Sequence, residues 1–384
     1  MKDLFLLDPN VTYLNHGSFG ACPKPIFEAY QRFQMELEMQ PVAFLKQKLD
    51  GYLTKAKDAL ASFVGCDADD FFFTPNPTVA INTVMRSLKL NAGDEILATD
   101  NEYGAMDMTW HYFCKQSGAR YVTQPITLPL TTKEQFLEDF WKGYSDKTKV
   151  IFINEMTSAT ALIFPVKEII AKAKSLGLIT IIDGAHVPGH IDLNIREMDP
   201  DYYTGTLHKW MLAPKGSTFL YVNKKYQESL DPLVVSWGYE TLAPTKSQFL
   251  ENHEFQGTRD ISAFLCTPDV INFLEKYNWK EQSKLCKQIV FANYQRFADL
   301  LETKPLCPIT DEFLGQMASI EVNTAAPFEL KSRLINEYKI EIPVMPSNGK
   351  SYLRYSINAY NSQADLDKLY AAVLDIKQTS NLIQ

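Results

Sequence analysis

The 384-residue sequence has no Cys-x-x-Cys pair; its six cysteines stand apart at positions 22, 66, 114, 266, 286 and 307. That scatter argues against a disulfide scaffold and a structural zinc site, and a reducing compartment is the default. Basic residues are in deficit, 38 Lys and Arg against 46 Asp and Glu for a net charge of −8, which argues against a nucleic-acid partner. No stretch reaches the roughly 18 uninterrupted apolar residues of a membrane span. The opening MKDLFLLDPN has neither the long apolar region nor the small-residue cleavage site of a signal peptide. The expected setting is the cytoplasm, with no membrane partner.

Other absences narrow the chemistry. No two of the 17 glycines lie two apart, so a dinucleotide-binding G-x-G-x-x-G loop is missing. Gly184 and Gly189 have phosphate-loop spacing, but His190 stands where that loop needs Lys. There is no G-x-S-x-G nucleophile elbow and no H-E-x-x-H. His186 and His190 are four apart, yet Pro188-Gly189 between them opposes a continuous helix, so no metal is assigned.

What is present reads as two α/β domains. Apolar residues form 46% of the chain, enough for a sizeable core. Val150–Ile153 is a buried strand. Val166, Ile169, Ile170 and Ala173 then recur at helical spacing, and a second strand, Leu178–Ile182, follows Gly177. This βαβ unit predicts a mostly parallel sheet covered by helices. Glu95–Thr99, Arg120–Ile126, Asp201–Thr206 and Thr218–Val222 extend it to six or seven strands. A helical stretch from about 268 to 303 leads to a tail with strands at Met317–Val322, Ile340–Val344 and Tyr352–Ile357. Helices are expected at Pro327–Tyr338 and after Ser362, where Ser362 and Asp365 have capping-box spacing. The expected division is a large cofactor-binding domain over 17–275, with 1–16 and 276–384 forming a smaller α/β domain.

The chemistry concentrates between Asp183 and Lys209. Asp183 closes an apolar strand, the place where open α/β sheets bind ligands. One further strand separates it from Thr206-Leu-His208-Lys209-Trp210. Singly, each is an ordinary turn or surface residue. Together, a carboxylate and an amine at one sheet edge are what pyridoxal-phosphate chemistry requires. The Lys forms a Schiff base, and the acid keeps the pyridine nitrogen protonated. His186 could reach the ring hydroxyl or support Asp183, while Thr206 and His208 could bind phosphate. Asn76-Pro77-Thr78 predicts a capped helix start whose N–H groups and dipole favour an anion.

With these residues in hand, the chain resembles the class V aminotransferases, pyridoxal-phosphate enzymes of fold type I. Within that family it is most similar to the isopenicillin N epimerase-like group, related to cysteine desulfurases. The resemblance is carried across nearly the whole chain by Tyr13-Leu-Asn-His16-Gly-Ser-Phe-Gly20, Asn76-Pro-Thr78, Glu102-Tyr103-Gly-Ala105, Asp183-Gly-Ala-His186 and His208-Lys209-Trp210. Gln256-Gly257-Thr258-Arg259 and Arg354-Tyr-Ser356 with Tyr360-Asn361 complete the set.

The resemblance implies that Lys209 carries the internal aldimine, Asp183 pairs with the ring nitrogen and Tyr103 stacks on the ring. It also implies that Thr78, Thr206 and His208 hold the phosphate. A homodimer is implied in which Gly257-Thr258 completes the neighbouring site, and Arg354 clamps a substrate carboxylate through its bidentate fork. His16, Ser158 and Tyr360 are further candidates near the substrate. The implied activity is epimerase-like chemistry at the α-carbon of an amino acid, through a quinonoid. The alternatives are a C–S lyase acting on a cysteine conjugate, a transaminase, or a catalytically silent cofactor-binding regulator. Two departures stand out: Pro77 removes a backbone donor, and residues 339–353 hold no Cys, which disfavours persulfide chemistry.

Overall fold

In the computed structural model, which describes residues 1–242 and 245–384, seven strands form the central sheet. They are β1 (Phe71–Thr74), β2 (Glu95–Thr99), β3 (Arg120–Gln124), β4 (Thr148–Asn154), β5 (Ile179–Gly184), β6 (Tyr202–Thr206) and β7 (Thr218–Val222). Their spatial order is β1-β7-β6-β5-β4-β2-β3. Only β7 runs antiparallel to its neighbours. The middle strands are buried along most of their length because helices cover both faces, leaving no wet side to call for alternation. Val150 to Ile153 and Ile181 to Ile182 are fully buried, and the helix Val166–Ser175 turns Val166, Ile169, Ile170 and Ala173 into the core that holds Ile151, Ile153 and Ile182. The architecture is the expected α/β fold with a mostly parallel sheet.

A separate three-stranded antiparallel sheet lies in the C-terminal part. It consists of β8 (Met317–Glu321), β9 (Val344–Ser347) and β10 (Lys350–Ser356), with β10 in the middle. Helices Pro327–Asn336 and Gln363–Thr379 belong to this part, the latter opened by the expected Ser362–Asp365 capping box. The expectation of one strand over 340–344 is corrected. Pro343 has no N–H for a ladder, and the chain divides there. Ile340–Glu341 pairs in parallel with Thr12–Tyr13, while β9 begins at Val344 and pairs with β10. The N-terminal segment is thereby stitched to the C-terminal part.

Because β1, β2, β4, β5 and β6 run the same way, their carboxyl ends share one edge. Asn76–Thr78 follow β1, Tyr103 follows β2, Ser158 follows β4, His186 follows β5, and His208-Lys209 follow β6. Residues far apart in sequence are delivered to one rim.

Candidate active site

Lys209 sits three residues past β6, and its Nζ lies 3.2 Å from His186 Nε2. Burial draws the amine down from its ordinary 10.5 to about 8; the charge of Arg354 adds to the drop and that of Asp183 opposes it. Asp183 pairs in register with Thr204 on β6 and Asn154 on β4, and its Oδ1 accepts the Ala185 N–H at 2.9 Å. Only 2% of its surface is exposed, and that burial pushes its carboxyl up despite the nearby Lys209 charge. A carboxylate held so far from water gains by facing a protonated nitrogen.

Behind Lys209 the segment 15–20 presses on its backbone. His16 is fully buried, with Nε2 3.0 Å from the Lys209 carbonyl and Nδ1 2.8 Å from the Tyr360 hydroxyl. A carbonyl only accepts, so His16 carries its proton on Nε2 and receives one from Tyr360. Gly20, at φ +70°, closes the approach: a Cβ there would lie 2.3 Å from the His208 carbonyl oxygen and 2.9 Å from Lys209 Cα. His16, expected with Tyr360 near the substrate, grips the main chain that carries the amine, and Tyr360 braces His16 from behind.

Arg354, central on β10, is 1% exposed. Its Nη1 donates to the Ser158 carbonyl at 2.7 Å, with Ser158 Oγ at 3.4 Å, and its Nη2 donates to Ser18 Oγ at 2.9 Å. Nε has no partner, and among the described residues no carboxylate ion-pairs with it. Burial lowers the guanidinium to about 10. Ser18, which sequence reasoning missed, is itself fixed by a 2.5 Å bond to Asn15 Oδ1.

At the far side of the rim, Asn76 caps the helix Pro77–Ser87 by accepting the Val79 N–H at 2.9 Å. Pro77 has no N–H, and the Ala80 N–H turns back to the Asn76 carbonyl. Of the helix's first residues only Thr78 keeps a backbone donor free, alongside its hydroxyl. Asn76 therefore shapes this corner chiefly as a cap. Thr206 Oγ1 is buried without a hydrogen-bond partner, as are Ser217 Oγ and Thr218 Oγ1 beside it. His208 Nδ1 lies 2.9 Å from the Ser217 carbonyl. Tyr103 starts the helix Gly104–Ser117 with 49% of its surface exposed, leaving a ring face open. Gly257 (φ +96°) and an exposed Thr258 lie between the helices Gln248–Glu254 and Ser262–Leu265. Among the described residues no hydrogen bond joins the two to Lys209 or Asp183.

These residues fit pyridoxal phosphate. The orphaned Thr206 hydroxyl and free Thr78 N–H suit phosphate, the open Tyr103 face suits an aromatic ring, and the buried Asp183 and half-neutral Lys209 suit its nitrogen and aldehyde. The spacing of His186 and His190 serves another end than metal binding, for both nitrogens of His190 are committed. Nδ1 is 3.0 Å from the His186 carbonyl, and Nε2 accepts the Gln316 N–H at 2.6 Å. His190 and the Trp210 stacked on it were not named among the site residues; the His-x-x-x-His spacing and the His208-Lys209-Trp210 string were the signals available.

A lysine and a buried carboxylate at the carboxyl edge of a mostly parallel sheet, with a buried arginine on the C-terminal sheet, define a fold type I pyridoxal-phosphate enzyme. The family model for aminotransferase class-V matches residues 12–369, and the chain belongs to that family. Isopenicillin N epimerase of Streptomyces clavuligerus is 31% identical over 387 residues, covering 96% of this chain and 95% of the relative. Hercynylcysteine sulfoxide lyase of Schizosaccharomyces pombe is 23% identical, covering 98% of this chain and 96% of the relative. In fold, the apo cysteine desulfurase of Thermococcus onnurineus NA1 superimposes with a TM-score of 0.84 at 18% identity, covering 98% of this chain and 97% of that one. Membership in an enzyme family sets aside the silent regulator.

Proposed function

We propose that this enzyme acts at the α-carbon of an amino-acid substrate with isopenicillin N epimerase-like chemistry. The observation that carries the reading is the buried, carboxylate-free Arg354 guanidinium, close enough for its charge to depress the Lys209 amine. An α-amino acid places a carboxylate and an exchangeable proton on one carbon, and would satisfy both groups at once. Arg354 would hold the carboxylate with the fork that Ser18 and Ser158 orient. Lys209, about half neutral near pH 8, would take the α-proton, and epimerisation then requires a proton delivered to the opposite face of that carbon. Asp183 would keep a proton on the pyridine nitrogen, Thr206, Thr78 and His208 would bind the phosphate, and Tyr103 would cover the ring. When bound, pyridoxal phosphate supplies the electron sink that makes the α-proton removable.

The proposed assembly is a cytoplasmic homodimer with the division 17–275 and 1–16 plus 276–384. Exposed Thr258 on a loop apart from its own Lys209 supports completion of the neighbouring site by Gly257-Thr258. The six unpaired cysteines and the pairing of Thr12–Tyr13 with Ile340–Glu341 support the compartment and the division. No helix among the described residues is long and apolar enough to cross a membrane.

A second reading is C–S bond cleavage on a cysteine conjugate, favoured by the lyase among the relatives. Solvent deuterium separates the two. Epimerisation puts deuterium at Cα with loss of optical rotation and no keto acid, whereas elimination releases pyruvate. Keto-acid exchange with a second amino acid and neither other product would overturn both. Lys209→Ala should abolish turnover and the borohydride-trappable yellow adduct.

A further inference from the structure

Proton positions on the buried histidines next to Lys209 follow from their neighbours. The Gln316 backbone N–H, which can only donate, points at His190 Nε2 from 2.6 Å. The proton of His190 is therefore on Nδ1, donated to the His186 carbonyl 3.0 Å away. The His190 ring lies against the Trp210 indole at 3.8 Å between centroids and 26° between planes, and His16 packs on the indole at 4.8 Å. Trp210 is 1% exposed, so its ring has no room to turn. Its Nε1–H, another group that can only donate, is aimed at His186 Nδ1 at 3.4 Å. With Nδ1 accepting, a neutral His186 carries its proton on Nε2, the atom 3.2 Å from Lys209 Nζ. The opposite tautomer would set two buried N–H groups against each other.

We propose that Trp210 is a positioning residue whose indole N–H, held by the His190 stack, fixes His186 as the Nε2–H tautomer. His186 then presents a donor toward the Lys209 amine and is barred from acting as its base. Burial supports this by holding His186 and His190 neutral, the latter near 3. A neutral ring pinned as a donor gives up its N–H to an amine lone pair or to an oxygen, which keeps Lys209 free to accept a proton elsewhere.

The inference leans on the reading of Lys209 as the reacting amine only for its consequence; the tautomer can be measured with or without cofactor. The experiment is 15N NMR on the full chain with labelled histidine, His186 being assigned by the resonance lost in His186→Gln. Wild-type His186 should show Nδ1 at the unprotonated and Nε2 at the protonated position. In Trp210→Phe, which keeps an aromatic ring on His190 but deletes the N–H, both signals should move toward the average of two tautomers. The pH midpoint of the bound-cofactor absorbance should shift with them. A wild-type His186 protonated at Nδ1, or a folded Trp210→Phe with unchanged His186 signals, overturns the proposal. The wild-type measurement decides even if the variant fails to fold. Loss of epimerase activity with the tautomer as stated would count against the proposed function and leave this inference standing.

Discussion

Around Lys209 nearly every polar atom is spoken for by the chain itself, whereas at Thr206 and across the sheet at Thr78 groups are left over. His16, His186, His190 and Tyr360 engage each other, the backbone or the Lys209 amine at 2.8–3.2 Å. The Thr206, Ser217 and Thr218 hydroxyls are buried without partners. The contrast separates two tasks. A group that must move a proton has to be aimed before substrate arrives, so it is cross-braced. A group that must bind an anion has to keep its donor unsatisfied, and the protein carries that cost in the empty state. Arg354 shares both designs, oriented by Ser18 and Ser158 yet without a counter-charge.

The contrast can be broken most severely at Arg354. Arg354→Leu should lower kcat/KM for an amino-acid substrate by about 10²–10³-fold, in line with the loss of a bidentate charged pair. Arg354→Lys keeps the charge without the fork and should lose less. If Arg354→Leu folds and retains full kcat/KM, the carboxylate assignment fails. A smaller effect is set by pH at Lys209. Its amine is drawn down to about 8, by burial first and the Arg354 charge second, so the neutral fraction falls as pH drops below about 8. The rate of borohydride-trappable capture of pyridoxal phosphate should fall roughly tenfold per pH unit in that range and level off above it. A rate still climbing toward pH 10 would mean an ordinary solvated lysine, and Lys209→Ala supplies the background.

Most of the sheet edge was legible because burial writes itself into composition. β4 carries the unbroken apolar run Val150–Ile153 and β5 the pair Ile181-Ile182, and a polar residue at the end of such a run, Asp183, stands out as a ligand position. The Pro327–Asn336 and Gln363–Thr379 helices carried their own start signals. What could not be read depends on contacts between distant segments. The tautomer of His190 is set by the N–H of Gln316, 126 residues away, and Ser18 becomes meaningful only once β10 brings Arg354 against it. Asn76 shows a subtler limit: one residue type serves equally as helix cap and as phosphate ligand, and the bond to Val79 reveals the cap. At 340–344 the apolar pattern favoured one strand, and the missing N–H of Pro343 outweighed it.

The smallest effect is the sharpest probe of the unsatisfied corner. Thr204 and Thr206 lie on the same strand, both fully buried, but Thr204 Oγ1 donates to the Phe219 carbonyl at 2.9 Å while Thr206 Oγ1 has no partner. Replacing each by Val exchanges a hydroxyl for a methyl of similar size. Thr204→Val should destabilise the cofactor-free protein by about 1 kcal/mol and leave cofactor affinity nearly unchanged. Thr206→Val should do the reverse, holding or slightly raising cofactor-free stability while weakening pyridoxal phosphate binding about tenfold, the worth of one hydrogen bond to a charged acceptor. Thermal melts and cofactor titrations of the two variants form a cross-over that overall damage to the strand would not produce. If Thr206→Val lowered the melting temperature as much as Thr204→Val and bound cofactor normally, the Thr206 hydroxyl would be structural and the phosphate would have to be held elsewhere.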